Sequence, residues 1–166
     1  MKLYLMRHGI AAQHLDGPIL RDYQRPLTEE GKVETRQVAL GLKKLGARPD
    51  VIVSSPLVRA RQTAEILAEV FGTTDALQIT DSLAPGGSTS EVWKFLGQFQ
   101  KANEAFLVGH EPDMTLLMTT LLWAGHDMGV TFKKAAVCRI DISSLPPNAP
   151  GTLKWFISPK IACLLK

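Results

Sequence analysis

Short, continuous apolar runs alternate with amphipathic helical patterns along most of this chain. Runs of this kind occupy residues 3–6, 51–53 and 105–108, and a segment with helix-forming signals comes after each of them. Parallel strands are covered by helices on both faces, so they are apolar throughout rather than at every second position. The sequence therefore predicts an α/β fold, a three-layer α/β/α sandwich with a mostly parallel central sheet.

Capping residues predict where the first helices begin and end. Thr28 is a typical N-cap for the first helix, and Gly46 is expected to end it. In the second helix we expect Ser55 at the N-cap, Pro56 at the first helical position and Gly72 just past the end. A further helix is expected to begin at the proline of residues 109–112.

The last part of the chain predicts an antiparallel strand at one edge of the sheet. Residues 135–142 and 153–157 are strand-like, and the Pro-Pro-Asn sequence of residues 146–148 between them is typical of a turn. The chain has 166 residues, a length that suits one domain, and it contains no linker or internal repeat. We therefore expect a single domain over residues 1–166.

Composition argues against several classes of function. The 19 basic and 16 acidic residues give a net charge of +3 and are spread along the chain, which disfavours nucleic acid as a partner. No apolar run is long enough to span a bilayer, and the N-terminal run is too short for a signal peptide, so we expect a cytoplasmic protein without a membrane partner. Cys138 and Cys163 are not spaced as a redox or metal motif, and we expect no metal and no cofactor.

Basic and imidazole side chains follow three of the predicted strands. Arg7 and His8 follow the first strand, Arg59 lies at the start of the helix after the second, and His110 follows the fourth. Ligands of open parallel sheets bind beyond the carboxyl ends of the strands. Guanidinium groups match phosphate oxygens, and a neutral imidazole is a competent nucleophile toward phosphorus. On spacing alone, a phosphate site and a set of incidental residues remain about equally supported.

Four segments together resemble the histidine phosphatase superfamily, which has the phosphoglycerate mutase-like fold. They are R-H-G at residues 7–9, S-S-P-L-V-R-A-R-Q-T-A at 54–64, V-G-H at 108–110, and R-P-L-T followed by a glycine at 25–31. The last segment is similar to that of the SixA-type phosphohistidine phosphatase branch. The resemblance runs from the first strand to the last and implies one histidine phosphatase domain over residues 1–166.

The resemblance also implies roles for individual residues. His8 would be the nucleophile that forms a phosphohistidine intermediate. Arg7, Arg59 and His110 would bind the transferred phosphoryl group. Arg25 would be a further phosphate or substrate contact, although an ordinary loop arginine is an equally good interpretation of this position.

The resemblance leaves the proton donor open. The mutase-like branch carries a glutamate after the third strand, but residues 83–87 of this chain contain no carboxylate. Another branch has an acid directly after the second histidine, where this chain has Glu111. Glu111 is therefore a candidate proton donor. The alternative is that its carboxylate only stabilises the start of the next helix.

Three further polar residues match no catalytic position. Arg61 is about 200° around the helix from Arg59 and is expected to face away from the site. His14 and His126 are expected to be surface histidines.

The residues at the strand ends and the family resemblance together predict a metal-independent phosphatase that works through a phosphohistidine intermediate on His8. Short loops favour an open site, and therefore phosphohistidine on a protein as the substrate. A small phosphate ester is the alternative partner, with a general phosphomonoesterase or a phosphoglycerate mutase-like enzyme as the alternative activity. The alternative outside the enzymes is a non-catalytic phosphate-binding module.

Overall fold

Six strands form the central sheet of the computed structural model, which describes residues 1–13, 21–123 and 129–165. The strands are β1 (Lys2–Arg7), β2 (Val51–Ser54), β3 (Leu77–Ile79), β4 (Glu104–Gly109), β5 (Val137–Asp141) and β6 (Thr152–Ile157). Their order across the sheet is β3-β2-β4-β1-β5-β6. The first four strands are parallel, whereas β5 pairs antiparallel with both β1 and β6. The predicted mixed sheet, mostly parallel with antiparallel pairing toward one edge, is confirmed.

Helices cover both faces of this sheet. They are α1 (Glu29–Lys44), α2 (Val58–Phe71), α3 (Thr89–Leu96), α4 (Asp113–Leu121) and α5 (Pro159–Leu164). Buried side chains of α1, α2 and α5 pack on one face, and those of α3 and α4 pack on the other. Strand β4 is buried along its whole length, as a strand between two helical layers must be. The predicted α/β/α sandwich is therefore confirmed.

The predicted helix ends hold at some positions and fail at others. The Thr28 side chain accepts a hydrogen bond from the Gly31 N–H (3.0 Å), and Gly72 ends α2 in the left-handed conformation (φ 74°). The second helix, however, does not begin at Pro56 with a cap at Ser55, because α2 starts at Val58. Ser55 still belongs to the sheet edge, since its N–H donates to the Val108 carbonyl (3.0 Å) and keeps the chain extended.

The register of the parallel strands brings their carboxyl ends to one edge. Arg7 pairs with Gly109, and Ser54 pairs with Val108, so β1, β2 and β4 end at the same level. The His8 N–H donates to the Gly109 carbonyl (3.0 Å), which extends the sheet by one residue beyond β1. The backbone positions at this edge are thus fixed by the hydrogen bonds of the sheet itself.

Two glycines allow the chain to pack closely beside this edge. A Cβ at Gly9 would lie 2.5 Å from Thr35 Oγ1, and a Cβ at Gly31 would lie 2.1 Å from the Ile10 carbonyl oxygen. Neither space admits a methyl group. This close approach explains the glycines of the R-H-G and R-P-L-T segments. In the described parts of the chain, no helix has the length and apolar character needed to cross a bilayer.

Candidate active site

His8 lies at the carboxyl edge of the sheet with its ring oriented by two hydrogen bonds. Its Nδ1 is 2.8 Å from the Gly9 carbonyl oxygen, and its Nε2 is 3.2 Å from Arg59 Nε. A carbonyl oxygen only accepts hydrogen bonds, so Nδ1 carries the proton. The Arg59 Nε–H only donates, so Nε2 accepts with its lone pair. The ring is therefore held as a neutral imidazole whose nucleophilic nitrogen faces Arg59.

Arg59 reaches this position from the first turn of α2 and is 4% exposed. Besides His8, it contacts Asp22, a residue in a short 3₁₀ turn (Asp22–Gln24). Arg59 Nη1 donates to the Asp22 carbonyl (2.7 Å), and Nη2 donates to Asp22 Oδ2 (3.0 Å). All three guanidinium nitrogens are thus engaged. Arg25 Nη2 lies 2.8 Å from Asp22 Oδ1, so one carboxylate bridges two arginines.

His110 is the second buried imidazole of the site. Its ring centroid is 5.1 Å from that of His8. His110 Nε2 is 2.8 Å from Ser55 Oγ, whereas His110 Nδ1 is buried and has no hydrogen-bond partner among the described residues. A serine at the end of β2 thereby orients a histidine at the end of β4. Sequence reasoning assigned Ser55 to a helix cap and missed this contact.

Arg7 completes the set of basic side chains. Its Nη1 donates to the Phe132 carbonyl (2.7 Å), while its Nε is buried and finds no hydrogen-bond partner in the part of the chain that the structure describes. Arg25 Nε and His110 Nδ1 are likewise buried and have no hydrogen-bond partner among the described residues. Buried donors are normally satisfied, and clusters of unsatisfied ones point to a ligand site. Three of these atoms at one sheet edge fit an oxyanion.

Burial and positive charge control the protonation of both histidines. Burial, with the charges of His110, Arg59 and Arg7, lowers the pKa of His8 to about 3, against the opposing hydrogen bond to Gly9. Burial and the charges of Arg59, Arg7 and Arg25 lower the pKa of His110 to about 4, with Asp22 opposing. Both rings are therefore neutral near pH 7. The predicted effect of Arg7 and Arg59 on His8 is present, but burial is the larger cause.

His8 is expected to remain neutral, with its proton on Nδ1, from pH 7 down to about pH 4. Its pKa of about 3 lies below the ordinary 6.5, so between these values the unfolded chain binds a proton that the folded protein does not. Acidification through this window therefore lowers the free energy of unfolding. Long-range ¹H–¹⁵N NMR of histidine-labelled protein measures tautomer and titration together. A His8 midpoint near 6.5, or a proton on Nε2, would contradict the assignment.

Glu111 directly follows His110, but its carboxylate contacts backbone and hydroxyl donors. Oε1 accepts from Thr115 Oγ1 (2.7 Å) and from the Phe132 N–H, and Oε2 accepts from the Thr115 N–H (3.2 Å). The two oxygens of this carboxylate thus accept three hydrogen bonds from the start of α4 and from the Phe132 backbone. These contacts match the helix-start alternative, since Thr115 lies in the first turn of α4. They also tie α4 to the segment that binds Arg7.

The segment after β2 that resembles the family also contains two residues, Gln62 and Thr63, whose roles sequence reasoning did not assign. Thr63 Oγ1 accepts from the Gly9 N–H (3.0 Å), and Gln62 Oε1 accepts from the Leu27 N–H (2.7 Å). Helix α2 thereby holds both the R-H-G turn and the R-P-L-T segment. The polar residues next to Arg59 in the sequence could have suggested such contacts, but not their partners.

The remaining candidates lie apart from this cluster. Arg61 is exposed and pairs with Glu65 (3.3 Å), so the prediction that it faces away is confirmed. His14 and His126 lie outside the described residues. Among the residues that the structure describes, no three His, Cys, Asp or Glu side chains gather as a metal site would require.

An α/β sandwich with neutral imidazoles and arginines at the carboxyl edge of its sheet defines an oxyanion-binding protein of the phosphoryl-transfer type. The profile of the histidine phosphatase superfamily (branch 1) matches residues 3–84. The chain belongs to the histidine phosphatase superfamily.

Full-length relatives support this membership. The chain is 39% identical to an uncharacterized protein of Picosynechococcus sp., with 96% of this chain and 98% of that protein covered. It is 29% identical to the phosphohistidine phosphatase SixA of Escherichia coli strain K12, with 100% and 97% covered. The structure of the protein histidine phosphatase SixA complexed with tungstate superimposes with a TM-score of 0.83 at 27% identity, covering 100% of both chains.

Proposed function

We propose that this chain is a single histidine phosphatase domain over residues 1–166 that hydrolyses phosphohistidine on a protein substrate through a phosphoenzyme on His8. One observation carries the proposal: the Nε2 lone pair of a buried, neutral His8 lies among Arg7, Arg59 and His110. A nucleophile that keeps its lone pair at neutral pH beside fixed cations has what phosphoryl transfer requires.

In the first step, the Arg59 Nε–H gives up its hydrogen bond to His8 Nε2, and the freed lone pair of Nε2 attacks phosphorus. An N–P bond forms at His8, and the bond from phosphorus to the leaving group breaks with its electron pair going to the leaving group. The guanidinium groups of Arg7 and Arg59 neutralise the charge on the transferred oxygens. The Nδ1 of His110, which has no partner within residues 1–13, 21–123 and 129–165, is available to donate to one of them. The Gly9 carbonyl stabilises the positive charge that builds on the His8 ring.

In the second step, water attacks phosphorus and the N–P bond breaks. The electron pair returns to His8 Nε2, and inorganic phosphate leaves. Because the arginines supply the charge neutralisation in both steps, we propose that the reaction proceeds without a metal ion.

The nature of the leaving group favours phosphohistidine over an alkyl ester. Transfer from one imidazole to another breaks and forms bonds of the same kind, so it needs little help from a general acid. An alkoxide leaving group needs a proton, and both oxygens of Glu111 already accept hydrogen bonds. A missing general acid costs about 10²–10⁴-fold in rate. The prediction of an open site, made from short loops, points in the same direction.

A comparison of leaving groups tests this proposal. We expect kcat/KM for a phosphohistidine-bearing protein domain to exceed that for an alkyl phosphate such as phosphoserine by at least about 100-fold. An aryl ester with a good leaving group, p-nitrophenyl phosphate, should be cleaved far better than the alkyl ester, because it too needs little acid help. Preference for the alkyl ester, or for phosphoglycerate, would overturn the substrate assignment.

A trapping experiment separates an enzyme from a phosphate-binding module. Incubation with a ³²P-labelled phosphohistidine protein, followed by rapid denaturation, should leave an acid-labile, base-stable phosphoryl group on the wild-type chain. Binding of the substrate without such a phosphoenzyme would favour the module.

A further inference from the structure

Asp22 is the one acidic side chain whose carboxylate contacts the arginine cluster in the described residues. Its two carboxylate oxygens pair with different guanidinium groups, Oδ2 with Arg59 (3.0 Å) and Oδ1 with Arg25 (2.8 Å). Neither the sequence patterns nor the proposed reaction assigns it a role. The side chain is 53% exposed, whereas that of Arg59 is 5% exposed, so the carboxylate approaches the buried arginine from the solvent side.

The charges around Asp22 make it the counter-ion of the site. Burial and the charges of Arg25 and Arg7 lower the pKa of Arg59, and Asp22 opposes them. Burial would raise the pKa of Asp22, but the hydrogen bond and charge of Arg59, with those of Arg25, outweigh it and lower that pKa. A carboxylate ionised at neutral pH therefore balances part of the charge of two arginines, Arg59 and Arg25.

The donors that Asp22 occupies are the donors that a phosphoryl group needs. Arg59 directs Nε to His8 and both terminal nitrogens to Asp22. A guanidinium fork binds one oxyanion edge at a time, and a carboxylate edge closely resembles a phosphate edge in geometry. A phosphoryl group that took Nη2 of Arg59 would have to displace the carboxylate, whereas Nη1 donates to the backbone carbonyl of Asp22. The carboxylate of Asp22 and a phosphoryl group bound to the same arginine would also repel each other.

We propose that Asp22 is a displaceable internal anion. Its carboxylate binds the guanidinium groups of Arg59 and Arg25 until a phosphoryl group takes its place. This competition lowers the affinity of the site for inorganic phosphate. The inference rests on the proposed function in one respect, namely that the oxyanion of this site is a phosphoryl group. It gives Asp22 a part in product release. After hydrolysis, return of the carboxylate to the two arginines favours departure of the product.

Titration with inorganic phosphate tests the proposal without using turnover. Isothermal titration calorimetry on the full chain compares wild type with Asp22→Asn, which keeps the shape of the side chain and removes its charge. We expect Asp22→Asn to bind phosphate about tenfold more tightly, the effect of relieving two partly exposed ion pairs. Inorganic phosphate should also inhibit this variant at about tenfold lower concentration in the p-nitrophenyl phosphate assay.

Asp75→Asn is the matched control. Asp75 is also an exposed aspartate in a short 3₁₀ turn (Thr74–Ala76), but it precedes β3 and so lies toward the opposite edge of the sheet. Its variant has the same change in net charge and should bind phosphate as wild type does.

The outcomes separate this inference from the proposed function. Equal or weaker phosphate binding by Asp22→Asn would contradict the proposal that Asp22 is a displaceable anion. It would favour a role of the carboxylate in positioning Arg59. An equal gain in Asp75→Asn would overturn it as well, because the effect would then be one of net charge. Loss of the phosphoenzyme in the trapping experiment, with tighter phosphate binding by Asp22→Asn retained, would contradict the catalytic proposal alone.

Discussion

The His8→Ala variant is expected to lose phosphatase activity, with kcat/KM lower by at least about 10⁴-fold, the scale seen when a covalent nucleophile is removed. The reason is geometric. His8 Nε2 is the nitrogen whose lone pair faces the arginines, and its orientation depends on the contacts of the ring with Gly9 and Arg59.

Two measurements make this result specific to the chemistry. Steady-state rates on the phosphohistidine protein and on p-nitrophenyl phosphate report turnover, and the ³²P trapping experiment reports the phosphoenzyme. Both should fall to background in His8→Ala. The variant should still fold, because the backbone N–H of residue 8 keeps its bond to the Gly109 carbonyl. Circular dichroism and a thermal melt check this, and a well-folded variant with near-normal turnover would refute the role of His8.

The parts of the site that the sequence predicted are those fixed by the sheet. Arg7 ends β1, and His8 and His110 directly follow β1 and β4, so the apolar runs that identify the strands also locate these residues. Arg59 lies in the first turn of α2, the helix that follows β2. Parallel strands leave little freedom in where their carboxyl ends meet, so the convergence of these side chains could be anticipated without coordinates.

The parts that escaped prediction depend on contacts between distant segments outside the strands. Asp22 is 37 positions from Arg59 in the sequence, and no periodicity marks a residue in a short 3₁₀ turn. The start of α2 was placed too early because Ser55 and Pro56 are good helix-start residues locally. The sheet hydrogen bond of the Ser55 N–H overrides that preference. Helix α5, at Pro159–Leu164, is too short to show a helical repeat.

Glu111 illustrates how neighbouring positions in the sequence can belong to different functions. It directly follows a buried histidine of the site, and this proximity suggested a proton donor. Its carboxylate, however, binds Thr115 and the backbone of Phe132, the residue whose carbonyl accepts from Arg7. Glu111 and Arg7 therefore share Phe132 as a backbone hydrogen-bond partner. A general acid role for Glu111 stays a prediction, and the leaving-group comparison bears on it directly.

The Arg59→Ala variant is expected to reduce kcat/KM by about 10²–10³-fold, the usual cost of removing one buried group that stabilises charge in a transition state. Arg59 is the link between the nucleophile and the oxyanion site, since one nitrogen contacts His8 and the other two contact Asp22. Its loss removes a positive charge that is almost completely shielded from solvent, where electrostatic interactions are strongest. Arg59→Lys should recover little activity, because an ammonium group cannot supply the planar fork.

Arg61→Ala is the matched control for this effect. Arg61 lies two positions further along the same helix, carries the same charge, and pairs with Glu65 on the exposed face (3.3 Å). Its removal should change kcat/KM by no more than about twofold, since an exposed ion pair contributes at most about 1 kcal/mol to stability and has no contact with His8. A comparable loss in both variants would mean that Arg59 acts only through the overall charge of the protein. A large loss confined to Arg59→Ala would place its effect in its contacts with the nucleophile and the transferred group, because the helix, residue type and net charge are otherwise the same.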